Sequence, residues 1–325
     1  MSMSVPSTCL AARSLPVAAA RHLSACRSRA ARGHVAPAQI ARTIAAPSSP
    51  SPSSSSSRRR RHHVLTTAGW NDFEWGTASI VSNDAATPKG GLRSIVISVD
   101  ASVAEGYVTP GQFVQMRTSE DGKPAFLAIA SAPADVSSSS SAKTNELSLL
   151  VKSSDGTAGE ICALEAGAEV GVSPAMGSGF DVSKAPADAY PTTLLFATGS
   201  GISPIRALIT SGALKGRDVT LYYGTASGET TAFLDEFETW KKACGVREVK
   251  HVQSQARSIH WSPYDRVGVV GGPPTYVQDQ LKADLENVDG GKACAVLCGQ
   301  KEMTEAVIEV LEGAGVPKER CIMNF

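Results

Sequence analysis

Acidic residues are missing from the start of this chain. Residues 1–63 carry ten arginines but no lysine, aspartate or glutamate, and the first acidic residue is Asp72. A start rich in serine, alanine and arginine and free of acid has the composition of an organelle transit peptide. It lacks the apolar stretch of a secretory signal, so export is not expected. Residues 1–66 are therefore expected to be an unstructured transit peptide, cleaved between His63 and Gly69. The serine content points to the chloroplast stroma ahead of the mitochondrion. A nucleic-acid-binding arm would bring lysines with interleaved aromatics, and neither is there, so no nucleic-acid partner is expected.

Long hydrophobic runs are missing too, and no membrane span is expected. Of seven cysteines, Cys9 and Cys26 fall in the leader; Cys162, Cys244, Cys294, Cys298 and Cys321 follow without CxxC spacing. That odd, scattered set excludes a disulfide framework, a zinc ribbon and a cysteine-ligated iron–sulfur centre, and leaves reduced thiols. No His/Cys/Asp spacing suits a metal, no G-x-S-x-G elbow marks a hydrolase, and no Walker loop is present. His251 and His260 have no evident partner. Ten of the 31 basic residues but none of the 31 acidic ones precede residue 64, so the overall charge of zero becomes about −10 beyond the leader.

The remainder has room for two domains. From residue 75 to 181, short β-rich runs at 76–82, 92–99, 111–118, 125–131, 146–152 and 169–172 are separated by Gly, Pro, Asp and Ser. A helical turn or two fits 158–164, and serines 137–141 read as a solvated hairpin loop. This is the pattern of an antiparallel β-barrel or sandwich. From Tyr190 the rhythm changes to strands at 193–197, 219–223, 248–252, 267–270 and 293–297, with helices at 204–210, 231–243, 275–286 and 303–312. Alternating strands and helices predict an α/β doubly wound parallel sheet, which binds ligands at the carboxyl ends of its strands. The expected domains are 73–187 and 190–325.

Residues 194–204, LLFATGSGISP, read as a buried strand turning through Gly199-Ser200-Gly201 into a helix. Such a turn offers free N–H groups to a phosphate, with Ser203 as the cap and Pro204 at the first helical position. Gly224-Thr225 and Gly299 fall at other strand ends on the same rim. Three glycine-bearing turns together point to a nucleotide.

A barrel followed by such a sheet, with these turns, resembles the ferredoxin–NADP reductase-like flavoprotein family over residues 75–325. It is similar in particular to a plastid plant and algal subgroup with an altered flavin motif. The resemblance implies FAD on the first domain, NAD(P)H on the second, and hydride transfer from nicotinamide to flavin. Gly199-Ser200-Gly201-Ile202-Ser203-Pro204 is similar to the family's G-T/S-G-x-x-P loop, which cradles the coenzyme pyrophosphate. Val296-Leu297-Cys298-Gly299 with Met303 is similar to its C-G-x-x-x-M element, which implies Cys298 beside the nicotinamide. Gly156-Thr157 is similar to the element that donates N–H groups to the FAD pyrophosphate. Phe325 corresponds to a terminal aromatic over the flavin. At the coenzyme-selecting corner lie Thr225 and Ser254; the family's Ser-Arg pair falls on Ser254 and Gln255, with an arginine displaced to Arg257. That leans towards NADPH over NADH. Tyr276 corresponds to an adenine-stacking tyrosine, with helix packing as the equal alternative.

The chief departure is in the first flavin element, R-x-Y-S, which reads Ala128-Ile129-Ala130-Ser131 here. Positions 128 and 130 share a strand face, so a phosphate-pairing arginine and a flavin-stacking tyrosine are both lost, at roughly 1–3 kcal/mol each. Ser131 remains as the implied partner of flavin N5. Phe126, on the same face, either restores stacking or packs in the barrel core. Weakened FAD binding, or FMN in its place, is expected. The resulting function is a flavin-dependent NAD(P)H oxidoreductase with an unidentified small-molecule or protein electron acceptor. The acidic remainder disfavours an acidic ferredoxin, although Lys241, Lys242 and Lys250 could form a local docking patch. The alternative is a catalytically degenerate nucleotide-binding sensor or assembly partner; a reductase component working with a separate iron–sulfur chain is a third reading.

Overall fold

Two sheets with opposite pairing rules organise the protein, in a computed structural model that describes residues 73–136, 145–255 and 274–324. The first sheet is antiparallel and holds β1 (Gly76–Ala85), β2 (Leu92–Ser98), β3 (Phe113–Arg117), β4 (Ala125–Ala128), β5 (Glu146–Lys152) and β6 (Glu169–Val172) in the order β4-β3-β6-β1-β2-β5. Its two edges meet. Ile129 bridges Leu149, and the Ala130 N–H donates to Ser148 O at 2.7 Å, which closes the sheet into a barrel. Alternating side chains such as Ile95, Ile97, Leu147, Leu149 and Val151 fill the interior. Short helices α1 (Ala101–Gly106), α2 (Pro133–Val136) and α3 (Thr157–Cys162) occupy the connections.

The second sheet is parallel: β7 (Thr192–Thr198), β8 (Asp218–Thr225), β9 (Val246–Gln253), β10 (Ala293–Cys298) and β11 (Cys321–Ile322), in the order β11-β10-β7-β8-β9. Helices α4 (Ile202–Thr210) and α5 (Phe237–Ala243) cover one face, and α6 (Val277–Asp284) and α7 (Lys301–Gly313) the other. The near-continuous apolar run in β7 follows from burial on both sides: Leu195 and Ala197 pack towards α4 and α5, Leu194 and Phe196 towards α6 and α7. From β7 the chain moves outward through β8 and β9, then returns to the opposite side with β10. The topological switch point therefore lies between β7 and β10.

Several elements differ from expectation. The helix expected at 231–243 starts only at Phe237, because Phe233 takes a left-handed φ of 56° that no helix continues through. β4 ends at Ala128, short of the expected 131. The expected strand at 267–270, the expected serine loop at 137–141 and the expected transit peptide 1–66 lie outside the described residues.

The two sheets are joined by more than chain continuity. Arg217 donates to Val182 O at 3.1 Å and Ala185 O at 2.7 Å, stapling the connecting segment to the start of β8. Leu92, Leu150 and Phe180 from the barrel side share the apolar core of α4 and α5. Among the described residues no helix is long and apolar enough to cross a membrane, and no cluster of His, Cys, Asp or Glu suits a metal ion.

Candidate functional site

Barrel and parallel sheet face each other across a cleft of about 1410 Å³. Its α/β wall is the rim at the switch point. There Gly201 and Gly299 are required by each other's loops. A Cβ on Gly201 would lie 2.3 Å from Cys298 O, and one on Gly299 would lie 2.2 Å from Thr198 Oγ1. The Gln300 N–H donates to the same Thr198 hydroxyl at 3.1 Å. The ends of β7 and β10 are thus locked together, backbone on backbone at Gly201 and through the Thr198 hydroxyl at Gly299, and Gly199, Ser200, Cys298 and Met303 line the cleft beside that lock.

Ser203 does not cap α4 as expected. The cap position is Gly201, with no side-chain bond, and Pro204 is the third helical residue, where its missing N–H is still one of the unpaired first-turn donors. The Ser203 hydroxyl instead crosses to the barrel and donates to Ala128 O at 2.8 Å. One helical turn on, Arg206 donates to Ala130 O at 2.9 Å while its Nε contacts both Glu236 oxygens at 2.9 and 2.8 Å. The altered Ala-Ile-Ala-Ser segment is therefore held by α4 through its carbonyls.

On the barrel wall, Phe126 and Ala128 face the cleft, and Phe126 is 57% exposed with its ring tilted against Phe113. Core packing of Phe126 is ruled out by that exposure. The alternation that would carry residue 130 to the same face stops where β4 stops. Ile129 turns into the barrel core, Ala130 is buried, and none of Ile129, Ala130 and Ser131 lines the cleft. The Ser131 hydroxyl accepts from Ser148 N at 3.2 Å, in the barrel seam. Gly156 and Thr157 also lie off the wall: Gly156 precedes α3 with φ 81°, the Thr157 hydroxyl donates to Lys123 O, and only the next residue, Ala158, reaches the cleft.

Thr225, Ser254 and Tyr276 line the far corner. Tyr276 precedes α6 and is 55% exposed, so it is not a packing residue. His251 does have partners: Nε2 lies 2.8 Å from Thr225 Oγ1 and 3.0 Å from Thr231 Oγ1. Arg257 and Phe325 lie outside the described residues.

Residues 195–309 match the Oxidoreductase NAD-binding domain family. The chain is 34% identical over 244 residues to the Fruit protein pKIWI502 of Actinidia deliciosa, covering 72% of each. It is 27% identical over 124 residues to the reductase component of propane 2-monooxygenase of Rhodococcus jostii (strain RHA1), which is 38% of this chain and 32% of that protein. Its fold is similar to that of the Amycolatopsis cytochrome P450 reductase GcoB, with a TM-score of 0.60, 20% identity, and 78% and 69% of the two chains covered. It is also similar to the Neisseria gonorrhoeae ferredoxin NADP+ reductase with bound FAD and NADP, at a TM-score of 0.57, 18% identity and 74% and 92% coverage. The chain belongs to the ferredoxin–NADP reductase-like oxidoreductases.

In this reductase-like chain, the cleft residues that sequence reasoning missed include Thr87, Lys152 and Asn324. Thr87 and Asn324 are buried, and Thr87 Oγ1 and Asn324 Oδ1 have no hydrogen-bond partner, while the Asn324 amide donates to Gly111 O at 3.0 Å. No motif contains them; the fold brings Asn324 beside a glycine 213 residues earlier. Burial pushes the Cys298 thiol up to about 12, so it stays protonated and is no nucleophile. The lysines offered as a docking patch are already paired, Lys241 and Lys242 with Glu238, and Lys250 with Asp284 at 2.9 Å.

Proposed function

We propose that this reductase-like chain oxidises NAD(P)H through a bound flavin and passes the electrons to a further acceptor. The observation that carries the reading is the single cleft, in which a glycine-locked switch point and a buried thiol face an exposed aromatic on the barrel wall. The α/β wall takes the coenzyme: its pyrophosphate at the Gly199–Gly201 turn, its nicotinamide beside Cys298, its adenine on Tyr276. The corner formed by Thr225, Thr230 and Ser254 carries no carboxylate, which supports NADPH over NADH, although the Thr225 and Thr230 hydroxyls are turned into the loop itself.

The barrel wall fits a flavin in chemistry if not in motif. Phe126 offers an open ring face, and the unbonded Thr87 and Asn324 oxygens, both buried, call for polar partners from a ligand. Lys152 is the one basic side chain on the cleft among the described residues, and it supplies a positive charge for a phosphate where Ala128 cannot. FAD, or FMN, when bound supplies the hydride acceptor and the onward electron carrier. The chain's own part is to hold the two rings together, exclude water with Met303 and Cys298, and keep that thiol neutral.

The acceptor in this reading is a small molecule such as a quinone, or a protein that is not strongly acidic. A charge of about −10 beyond the leader and the paired state of Lys241, Lys242 and Lys250 both weigh against an acidic ferredoxin. Residues 1–66 are proposed to direct the chain to the chloroplast stroma; a fluorescent fusion of that segment that stays cytosolic would refute this. The visible spectrum of the purified full-length chain tests the enzyme reading. A flavin band that bleaches anaerobically with NADPH faster than with NADH supports it. No band, and none after adding FAD or FMN, would leave the non-catalytic nucleotide binder, a reading that the loss of arginine and tyrosine at 128 and 130 favours.

A further inference from the structure

The loop after β8 lines the coenzyme corner through Thr225, Ala226 and Thr230, and it is tied down from beneath by one side chain. His251 is 1% exposed on β9, its ring centroid 5.7 Å from that of Tyr223 and 6.1 Å from that of Phe237. Nδ1 faces this aromatic surround without a partner. An Nδ1–H would be a buried donor with no acceptor, which costs more than a bare lone pair, so the proton sits on Nε2. From there it is donated to the hydroxyls of Thr225 and Thr231, at 2.8 and 3.0 Å. Both hydroxyls are then free to donate to Ser227 O, at 3.1 and 3.0 Å. One imidazole N–H thus closes the loop from both ends onto its own middle carbonyl. The same loop is pinned to the residues that follow β9 by Ser254 N–H to Thr225 O at 2.9 Å and Gln255 N–H to Ala226 O at 3.0 Å.

We propose that His251 is a positioning residue for coenzyme recognition: it touches no coenzyme, but its Nε2–H sets the loop 225–231 in the conformation that the coenzyme meets. This rests on the reading of the cleft as an NAD(P)H site.

Calorimetric titration of the full-length chain with NADP+ and with NAD+ tests it. His251→Leu and Thr231→Val should each weaken the preferred nucleotide by about tenfold, the loss of one or two hydrogen bonds. The double variant should be no worse than either single, because both act through one network. His251→Gln, which keeps an amide N–H at similar reach, should stay within about threefold of wild type. Melting temperatures identify any variant that does not fold; if His251→Leu fails to fold, Thr231→Val decides. Wild-type affinity in Thr231→Val and in the folded His251 variants overturns the proposal and leaves the coenzyme reading intact. Equal loss in His251→Gln and His251→Leu overturns it also, by showing that ring packing and not the N–H matters. Failure of the wild-type chain to bind either nucleotide overturns the coenzyme reading, and the proposal with it.

Discussion

The two walls of the cleft are built on different principles. The α/β wall closes by tight approach of glycine backbone, with Gly201 seated on Cys298 O and Gly299 on the Thr198 hydroxyl, where any side chain would collide. The barrel wall is built from side chains standing on a strand, and there exchange is cheap: Ala128 fits β4 as well as a larger residue would. The two kinds of wall tolerate substitution unequally. A site made by close backbone approach loses stability with such a glycine, whereas a site made by projecting side chains can exchange them and keep its strand. The barrel wall here holds its altered segment by main-chain carbonyls instead, through Ser203 and Arg206.

The sharpest way to break this comparison is Gly201→Ala. A Cβ 2.3 Å from a fixed carbonyl should cost about 3 kcal/mol, near the upper end for overpacking. Gly156→Ala at the barrel rim meets no atom within 4 Å and should cost less, about 2 kcal/mol, from its backbone alone, whose φ of 81° and ψ of −156° suit only glycine well. Denaturant midpoints measure both, and equal losses would remove the distinction between the walls.

Acid should then act on the α/β side. Burial lowers His251 from its ordinary 6.5 to about 4, so below pH 6.5 the unfolded chain takes up a proton that the folded chain refuses. Stability tied to His251 is complete above pH 6.5 and declines as pH falls towards 4, by up to about 3 kcal/mol. Urea unfolding of wild type and His251→Gln across that window should show the steeper slope in wild type, carboxylates held low by their partners, such as Glu238, adding a shared slope to both.

Arg206→Ala, which removes one of two ties from α4 to the altered segment and leaves Glu236 with only the Trp240 indole N–H, should cost about 2 kcal/mol, between the exposed and buried limits for an ion pair. The smallest effect on stability is expected from Phe126→Ala, below about 0.5 kcal/mol for so exposed a ring. Its flavin affinity should nonetheless fall about fivefold, roughly 1 kcal/mol of stacking, read from flavin fluorescence on titration. Ala128→Arg should move affinity the other way; if it does nothing, the flavin phosphate does not lie at that strand.

By itself the amino-acid sequence determined the class of both sheets and the identity of the α/β rim. Period-two runs and an apolar β7 follow from burial on one or two faces, and Gly199, Gly201, Gly299 and Cys298 stand in turns whose spacing is local. Tertiary structure alone decided the rest. Ser131 stands out by its match to the last residue of R-x-Y-S, which says nothing of the strand ending at Ala128 or of the seam between β4 and β5 that bonds its hydroxyl and buries Ala130. His251 looked partnerless because its partners lie 20 and 26 residues away on a loop folded over it. Thr87 and Asn324 reach the cleft from distant parts of the chain without any motif. Periodicity reports which face of an element is buried, and a tight turn reports its own glycines, but hydrogen bonds between side chains of different elements leave no local trace, because only the folded chain brings donor and acceptor within 3 Å.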